Sequence, residues 1–340
     1  MKKLISAILI LVMVVSCMSF SGCNQTASEP DVSTTADNGY TPDSTLRLLM
    51  VGNSFCYYYV EELYKLLMEN PPEGIDAVEI YNLYYSGCKL DQHLEWWKKG
   101  IAKYDLFKVD NTGRTQLEPN DGWTLENALR MADWDYISLQ GGVTGSGYLD
   151  EAKLAYTMQM VPQTAEPLLD MFHEKFPNAK LLWHSTWFSE VGRVSGDYTY
   201  KEEDGPIYDA NLLKVSTYMC TEFTKDKPYD LTLVHTGAAW TKARELNKTL
   251  NLLPYGGLCA RLGINKFGDM SLHSGDGYHD GDIGGAQLLN AYVWYMVLTG
   301  RTDVSASTYA PVYKYQNSVE YPLSAELIDM LKQAAMSVFE

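Results

Sequence analysis

Leu48-Leu49-Met50-Val51-Gly52-Asn53-Ser54-Phe55 is the stretch on which the reading of the whole chain turns. An apolar run stops at Gly-Asn-Ser, and apolar side chains at helical spacing follow from Val60 to Met68. A short unbroken apolar run closed by glycine is the pattern of a strand buried on both faces. Residues 46–51 are therefore expected as a parallel strand opening into a helix. In an open parallel sheet the carboxyl ends of the strands face the crevice where such sheets bind ligands. A serine there, near a helix N-terminus whose free N–H groups favour negative charge, has the setting of a nucleophile. Serine is also a preferred helix N-cap. This stretch alone supports both readings.

The same pattern recurs along the chain. Further strands are expected over residues 77–85, 134–139 (ending at Gln140-Gly141-Gly142), 180–183 (ending at His184) and 231–234 (ending at His235). Helical spacing separates them and continues to a closing helix over 286–298 and an amphipathic helix over 325–338. Strands alternating with helices predict a three-layer α/β/α sandwich around a five-stranded parallel sheet, in one domain over 45–340. Residues 104–119 differ: Asn111-Thr112-Gly113-Arg114 carries a turn signal, so a β-hairpin insertion is expected on the surface of the sheet.

A chain of 340 residues, 46% hydrophobic and 21% charged, has the size and composition for a substantial core. Its net charge of -16 argues against a nucleic-acid partner and against electrostatic adhesion to anionic lipid. The N-terminus reads as an export signal, with Lys2-Lys3 ahead of the apolar run 5–15. Ser19-Phe20-Ser21-Gly22-Cys23 resembles the lipobox of bacterial lipoproteins, with Val14-Val15-Ser16-Cys17 as a competing site. That resemblance implies removal of residues 1–22 and acylation of Cys23. Acyl chains would then be the protein's only link to a membrane, placing it at the cell surface or in the periplasm. Residues 24–44, rich in Ser, Thr, Asp, Ala and Pro, read as a disordered tether. Export permits disulfides among Cys56, Cys88, Cys220 and Cys259, and without a CxxC pair a zinc framework is not expected.

Ser54, Gly87 and Gln140 fall at the ends of three predicted strands, and parallel pairing brings such ends to one edge. Near the C-terminus, Asp276-Gly277-Tyr278-His279 supplies an acid and an imidazole that can orient one another, as a serine nucleophile requires. Together, Gly52-Asn53-Ser54, Gly87 and this Asp-x-x-His resemble the SGNH (GDSL-like) hydrolase superfamily. The runs 134–140 and 236–240 are similar to an uncharacterised bacterial branch of it. The resemblance covers residues 47–300. It implies a flavodoxin-like sheet and an esterase or lipase activity without a cofactor or metal. Ser54 would be the nucleophile, His279 the general base and Asp276 its orienter. The N–H groups of Ser54 and Gly87 would donate to the oxyanion. The superfamily's third donor is an Asn side chain, and Gln140 stands near that place here.

Other readings accompany these residues. Asp276, Asp280 and Asp282, with His273 nearby, could form a calcium site instead. Asn53, His184, His235 and Trp240 could line the pocket, although buried histidines often serve packing alone. His93 and His173 lie on predicted helices. Cys56 and Cys88 flank the strand ends and could act as nucleophiles if their thiols ionised. Trp183, Trp187, Trp240 and Tyr57-Tyr58-Tyr59 could form a platform for sugar rings, or core. The expectation is an exported serine esterase acting on a small-molecule or carbohydrate ester. Its rival is a non-catalytic carbohydrate-binding lipoprotein of the same fold.

Overall fold

The apolar run beginning at Leu46 lies mid-sheet. The computed structural model describes residues 44–141, 146–188, 194–195, 198–199, 201, 203–253, 285–315 and 319–340. The main-sheet strands and short accessory strands are, in chain order, β1 (Thr45–Gly52), β2 (Ala77–Tyr84), β3 (Asp105–Asp110), β4 (Gly113–Leu117), β5 (Tyr136–Gln140), β6 (Lys180–His184), β7 (Val194–Ser195), β8 (Tyr198–Thr199), β9 (Leu231–Val234), β10 (Val312–Tyr315) and β11 (Val319–Pro322). The helices are α1 (Val60–Glu69), α2 (Leu90–Lys99), α3 (Leu125–Leu129), α4 (Glu151–Lys175), α5 (Asp204–Cys220), α6 (Thr236–Leu250), α7 (Ala286–Thr299) and α8 (Ala325–Met336).

The main sheet has seven strands in the order β4-β3-β2-β1-β5-β6-β9. β1 pairs in parallel with β2 and with β5, and the parallel pairing continues through β6 to β9. Side chains of a strand alternate between faces, so Leu48 and Met50 enter one core while Leu49 and Val51 enter the other. Both faces are covered by helices, which is why β1 carries apolar residues without alternation. The first core takes side chains from α1, α6, α7 and α8, and the second from α2, α3, α4 and α5. On α1 the buried Val60, Leu63, Leu66 and Leu67 form one apolar stripe. α7 is apolar nearly all round because it lies against α1, α6 and α8.

Two features differ from the sequence reading. The hairpin does not sit on the surface of the sheet. Its strands β3 and β4 join the sheet beside β2 as antiparallel strands, so the sheet has seven strands rather than five. Pairing satisfies the N–H and C=O groups that β2 would otherwise leave open at an edge. The antiparallel pairs β10–β11 and β7–β8 were not expected. The leader, Cys23, residues 24–43 of the expected tether, Cys259 and the loop carrying His273, Asp276, His279, Asp280 and Asp282 lie outside the described residues.

Candidate active site at the carboxyl edge of the sheet

The chain leaves β1 at Asn53, whose backbone is extended (φ -125°, ψ -154°), and enters a short 3-10 turn, Ser54–Cys56. The Asn53 side-chain oxygen accepts the N–H of Phe55 at 3.0 Å. An asparagine oxygen taking the N–H two residues on is the usual local closure of such a turn. Asn53, not Ser54, is therefore the cap. α1 starts only at Val60, and Tyr59 makes no side-chain cap bond there. The expected helix does begin at Val60, and this turn separates Ser54 from it. The capping role for Ser54 falls away, because its neighbour already fills it. Ser54 is 7% exposed, and among the described residues its hydroxyl forms no hydrogen bond.

Asn53 also ties three strand ends together. Its Nδ2 donates to the Cys88 carbonyl just past β2 at 2.8 Å. Its Oδ1 accepts a second N–H, from Gln140 Nε2 at the end of β5, at 3.0 Å. Its backbone N–H donates back to Gln140 Oε1 at 3.1 Å. The convergence of the Ser54, Gly87 and Gln140 segments thus has a physical cause: one side chain, only 2% exposed, bonded to all three. Read from sequence as a pocket residue, Asn53 is instead a buried hub that bonds the strand ends to one another. The cue was available, since asparagine closing a strand-to-turn junction is a bonding position before it is a lining one. Gly52 permits the clamp. A Cβ there would lie 2.6 Å from Gln140 Oε1 and 2.7 Å from Cys56 Sγ. Gly87 sits in an exposed turn at φ +66°, the left-handed region that favours glycine.

Burial decides the protonation of the neighbouring groups. The Cys56 thiol donates to the Asn53 carbonyl at 3.1 Å and accepts from Asn82 Nδ2 at 3.2 Å. Desolvation pushes its pKa up to about 12 despite these bonds. Cys88 Sγ lies 3.6 Å from His93 Nδ1. Burial pushes the thiol up to about 12 and the imidazole down to about 4, and His93 pairs with the Tyr104 hydroxyl at 2.8 Å. Neither cysteine carries a thiolate at neutral pH, so the cysteine-nucleophile reading is set aside.

The remaining described histidines take packing positions. His184, at the end of β6, is fully buried among the rings of Tyr59, Trp187 and Trp294. Burial lowers its pKa to about 3, its Nε2 is 3.5 Å from the Tyr59 hydroxyl, and its Nδ1 has no hydrogen-bond partner among the described residues. His235 packs edge-on to Phe339, with its pKa lowered by burial. His173 on α4 lies against Tyr229. Among the described residues no histidine hydrogen-bonds Ser54.

Trp240 is fully buried, donates from Nε1 to Asn290 Oδ1 at 2.7 Å, and stacks on Trp187 at 4.6 Å. Trp187 in turn meets the ring of Phe55 edge-on at 4.7 Å. Trp240 thus supports the Ser54 turn from within the core and does not line a pocket. Trp183 and Trp187 are fully buried as well, so these three rings offer no face for a sugar. Tyr57 and Tyr58 remain half-exposed. Among the described residues no group of three His, Cys, Asp or Glu side chains is arranged to hold a metal ion.

Fold and site define an α/β protein of mainly parallel sheet, with a serine-bearing turn held at the carboxyl edge of its central strand. Residues 47–218 match the family model described as "Domain of unknown function (DUF4886)". The chain belongs to this family, and the matched region contains Ser54, Gly87 and Gln140. Among solved structures, a DUF4886 family protein from Bacteroides uniformis is 20% identical, covers 87% of this chain and 95% of its own, and superposes with a TM-score of 0.58, which shows the fold to be shared. A protein of Parabacteroides merdae described as a GDSL-like lipase is 17% identical, with coverage of 75% and 95% and a TM-score of 0.40. An acetylxylan esterase from Geobacillus stearothermophilus is 13% identical, with coverage of 74% and 94% and a TM-score of 0.38. Comparison with curated proteins finds no match.

Proposed function

We propose that this protein is an exported, lipid-anchored serine esterase of SGNH type, working through an acyl-enzyme. The observation that carries this reading is the Ser54 turn. Its hydroxyl is relieved of capping by Asn53, and the turn is laced to the two neighbouring strand ends at the sheet edge where open α/β sheets bind ligands. A serine placed only for structure would be expected to bond within the turn.

In the proposed reaction Ser54 Oγ attacks the ester carbonyl carbon while a ring nitrogen of His279 takes its proton. Asp276 holds the imidazole in the accepting tautomer. The N–H groups of Ser54 and Gly87 donate to the oxyanion, and the second N–H of Gln140 Nε2, not used on Asn53, is the candidate third donor. Collapse breaks the bond to the alcohol, which leaves with the proton from His279. Water, deprotonated by His279, then cleaves the acyl-enzyme and releases the acid. His93, His173, His184 and His235 make other contacts, and of the two remaining histidines, His273 and His279, the superfamily resemblance assigns the base to His279. Acylation at Cys23 would hold the domain outside the cytoplasm, where acylated carbohydrate is the substrate class we assign. Partly exposed Tyr58, close in sequence to Ser54, suits such a ligand.

The test is hydrolysis of p-nitrophenyl acetate, together with labelling by a fluorophosphonate, in wild type and Ser54→Ala. Loss of both in the variant is expected. Equal rates in the two proteins, or an unlabelled wild type, would leave the non-catalytic carbohydrate-binding lipoprotein as the better reading.

A further inference from the structure

The Ser54 turn is held at its other end too, by the hairpin. Tyr57 closes the 3-10 turn as its C-cap residue. Arg114, near the start of β4, donates from Nη2 to the Tyr57 carbonyl at 2.8 Å. Its guanidinium lies over the Tyr57 ring at 4.3 Å from the centroid. Glu61 Oε2, on the first turn of α1, is 3.7 Å from the same Nη2. The Tyr57 ring is enclosed further by Tyr84 of β2 at 4.8 Å and Phe107 of β3 at 5.0 Å. A planar guanidinium can stack on a ring and bond a carbonyl at one time, which an ammonium does less well. The Arg114 side chain is 17% exposed, so this contact is weakly screened.

We propose that Arg114 is a positioning residue for the proposed nucleophile, and that the β3–β4 hairpin is part of the catalytic apparatus rather than an edge ornament. The inference rests on the serine-hydrolase reading of Ser54. The turn is pinned at Asn53 by Gln140 and Cys88 and at Tyr57 by Arg114, with Ser54 between the two pins. Releasing the second pin lets the turn rotate about the first and moves the hydroxyl out of line. Arg114 acts through Tyr57, so its removal should slow acylation without weakening substrate binding or moving the pH profile.

The experiment compares wild type, Arg114→Met and Arg114→Lys. Methionine keeps the apolar stem, and lysine keeps the charge over the ring. For p-nitrophenyl acetate, kcat should fall about 10- to 100-fold in Arg114→Met, the scale of a small misplacement of a reacting group. KM should stay within about twofold and the pH profile should not move. Fluorophosphonate labelling should slow in parallel, and Arg114→Lys should recover part of the loss. Amide hydrogen exchange over residues 54–57 should quicken in Arg114→Met while the amides of β1 and β5 keep their protection. This last readout does not depend on Ser54 being a nucleophile. Faster exchange together with an unlabelled wild type would retain the clamp and overturn the hydrolase reading. Unchanged exchange and unchanged labelling in the folded variant would overturn the Arg114 proposal while leaving Ser54 as the nucleophile.

Discussion

Replacing Gln140 by leucine tests the lacing of the strand ends most directly. The side chain is 4% exposed, and leucine is close to it in volume, so the change removes the two bonds to Asn53 with little new cavity. The Asn53 N–H then has no partner in the core. A buried donor left unsatisfied costs about 1–3 kcal/mol, and the lost Nε2–Oδ1 bond about 0.5–1.5 kcal/mol more. Asn53 Oδ1 keeps its bond from Phe55, so it adds no further penalty. The expected loss of stability is about 2–4 kcal/mol, read from urea unfolding followed by tryptophan fluorescence. Gln140→Glu refines the test. The introduced carboxyl can still accept from the Asn53 N–H, but when ionised it sets an oxygen against Asn53 Oδ1. When protonated it can donate there, as the amide does. Burial and this bond both raise its folded pKa above the ordinary glutamate value. A raised folded pKa means that stability is full below the unfolded pKa and is lost as pH rises toward the folded one. Gln140→Glu should therefore approach wild type at pH about 4 and fall behind it toward neutrality. A Gln140→Leu protein within about 0.5 kcal/mol of wild type, the scale of an inconsequential surface change, would refute the clamp.

Two further predictions concern buried groups. Glu62 is buried on α1, its Oε2 has no hydrogen-bond partner among the described residues, and desolvation raises its pKa from 4.5 to about 7. Because the folded pKa is the higher one, the wild type loses stability as pH rises from 4.5 to about 7. Glu62→Gln should then be more stable than wild type above that window, by about 3 kcal/mol, with the gain vanishing below it; pH-resolved urea unfolding that shows no such crossover would refute the assignment. For Cys56 and Cys88, iodoacetamide at pH 8 should modify the native protein far more slowly than the unfolded one, read peptide by peptide by mass spectrometry. Rapid native alkylation of Cys56 would reopen the cysteine-nucleophile reading.

Much of the fold is legible in the sequence, because the patterns that encode it are local. Leu48 to Val51 are apolar without alternation because both faces of β1 are covered. The stripe Val60, Leu63, Leu66 and Leu67 has the helical period because one face of α1 meets the core. The second, third, fourth and fifth parallel strands are read for the same reason. Parallel pairing also makes it predictable that the segments at Ser54, Gly87 and Gln140 meet at one edge. The candidate nucleophile and its neighbours follow from sequence to that extent.

Contacts between distant residues decided the rest. Whether Ser54 caps the turn or is left for chemistry depends on which oxygen takes the Phe55 N–H, and the outcome is Asn53, itself fixed by a side chain 87 residues away. The orientation of the Gln140 amide, the seating of the hairpin in the sheet with Arg114 on Tyr57, and the burial of Trp183, Trp187 and Trp240 are of the same kind. Strand and helix follow from the spacing of apolar groups along the chain. The allotment of each polar atom to its partner follows only when the strands bring those atoms within bonding distance, because a hydrogen bond is short and directional while burial of apolar surface is neither.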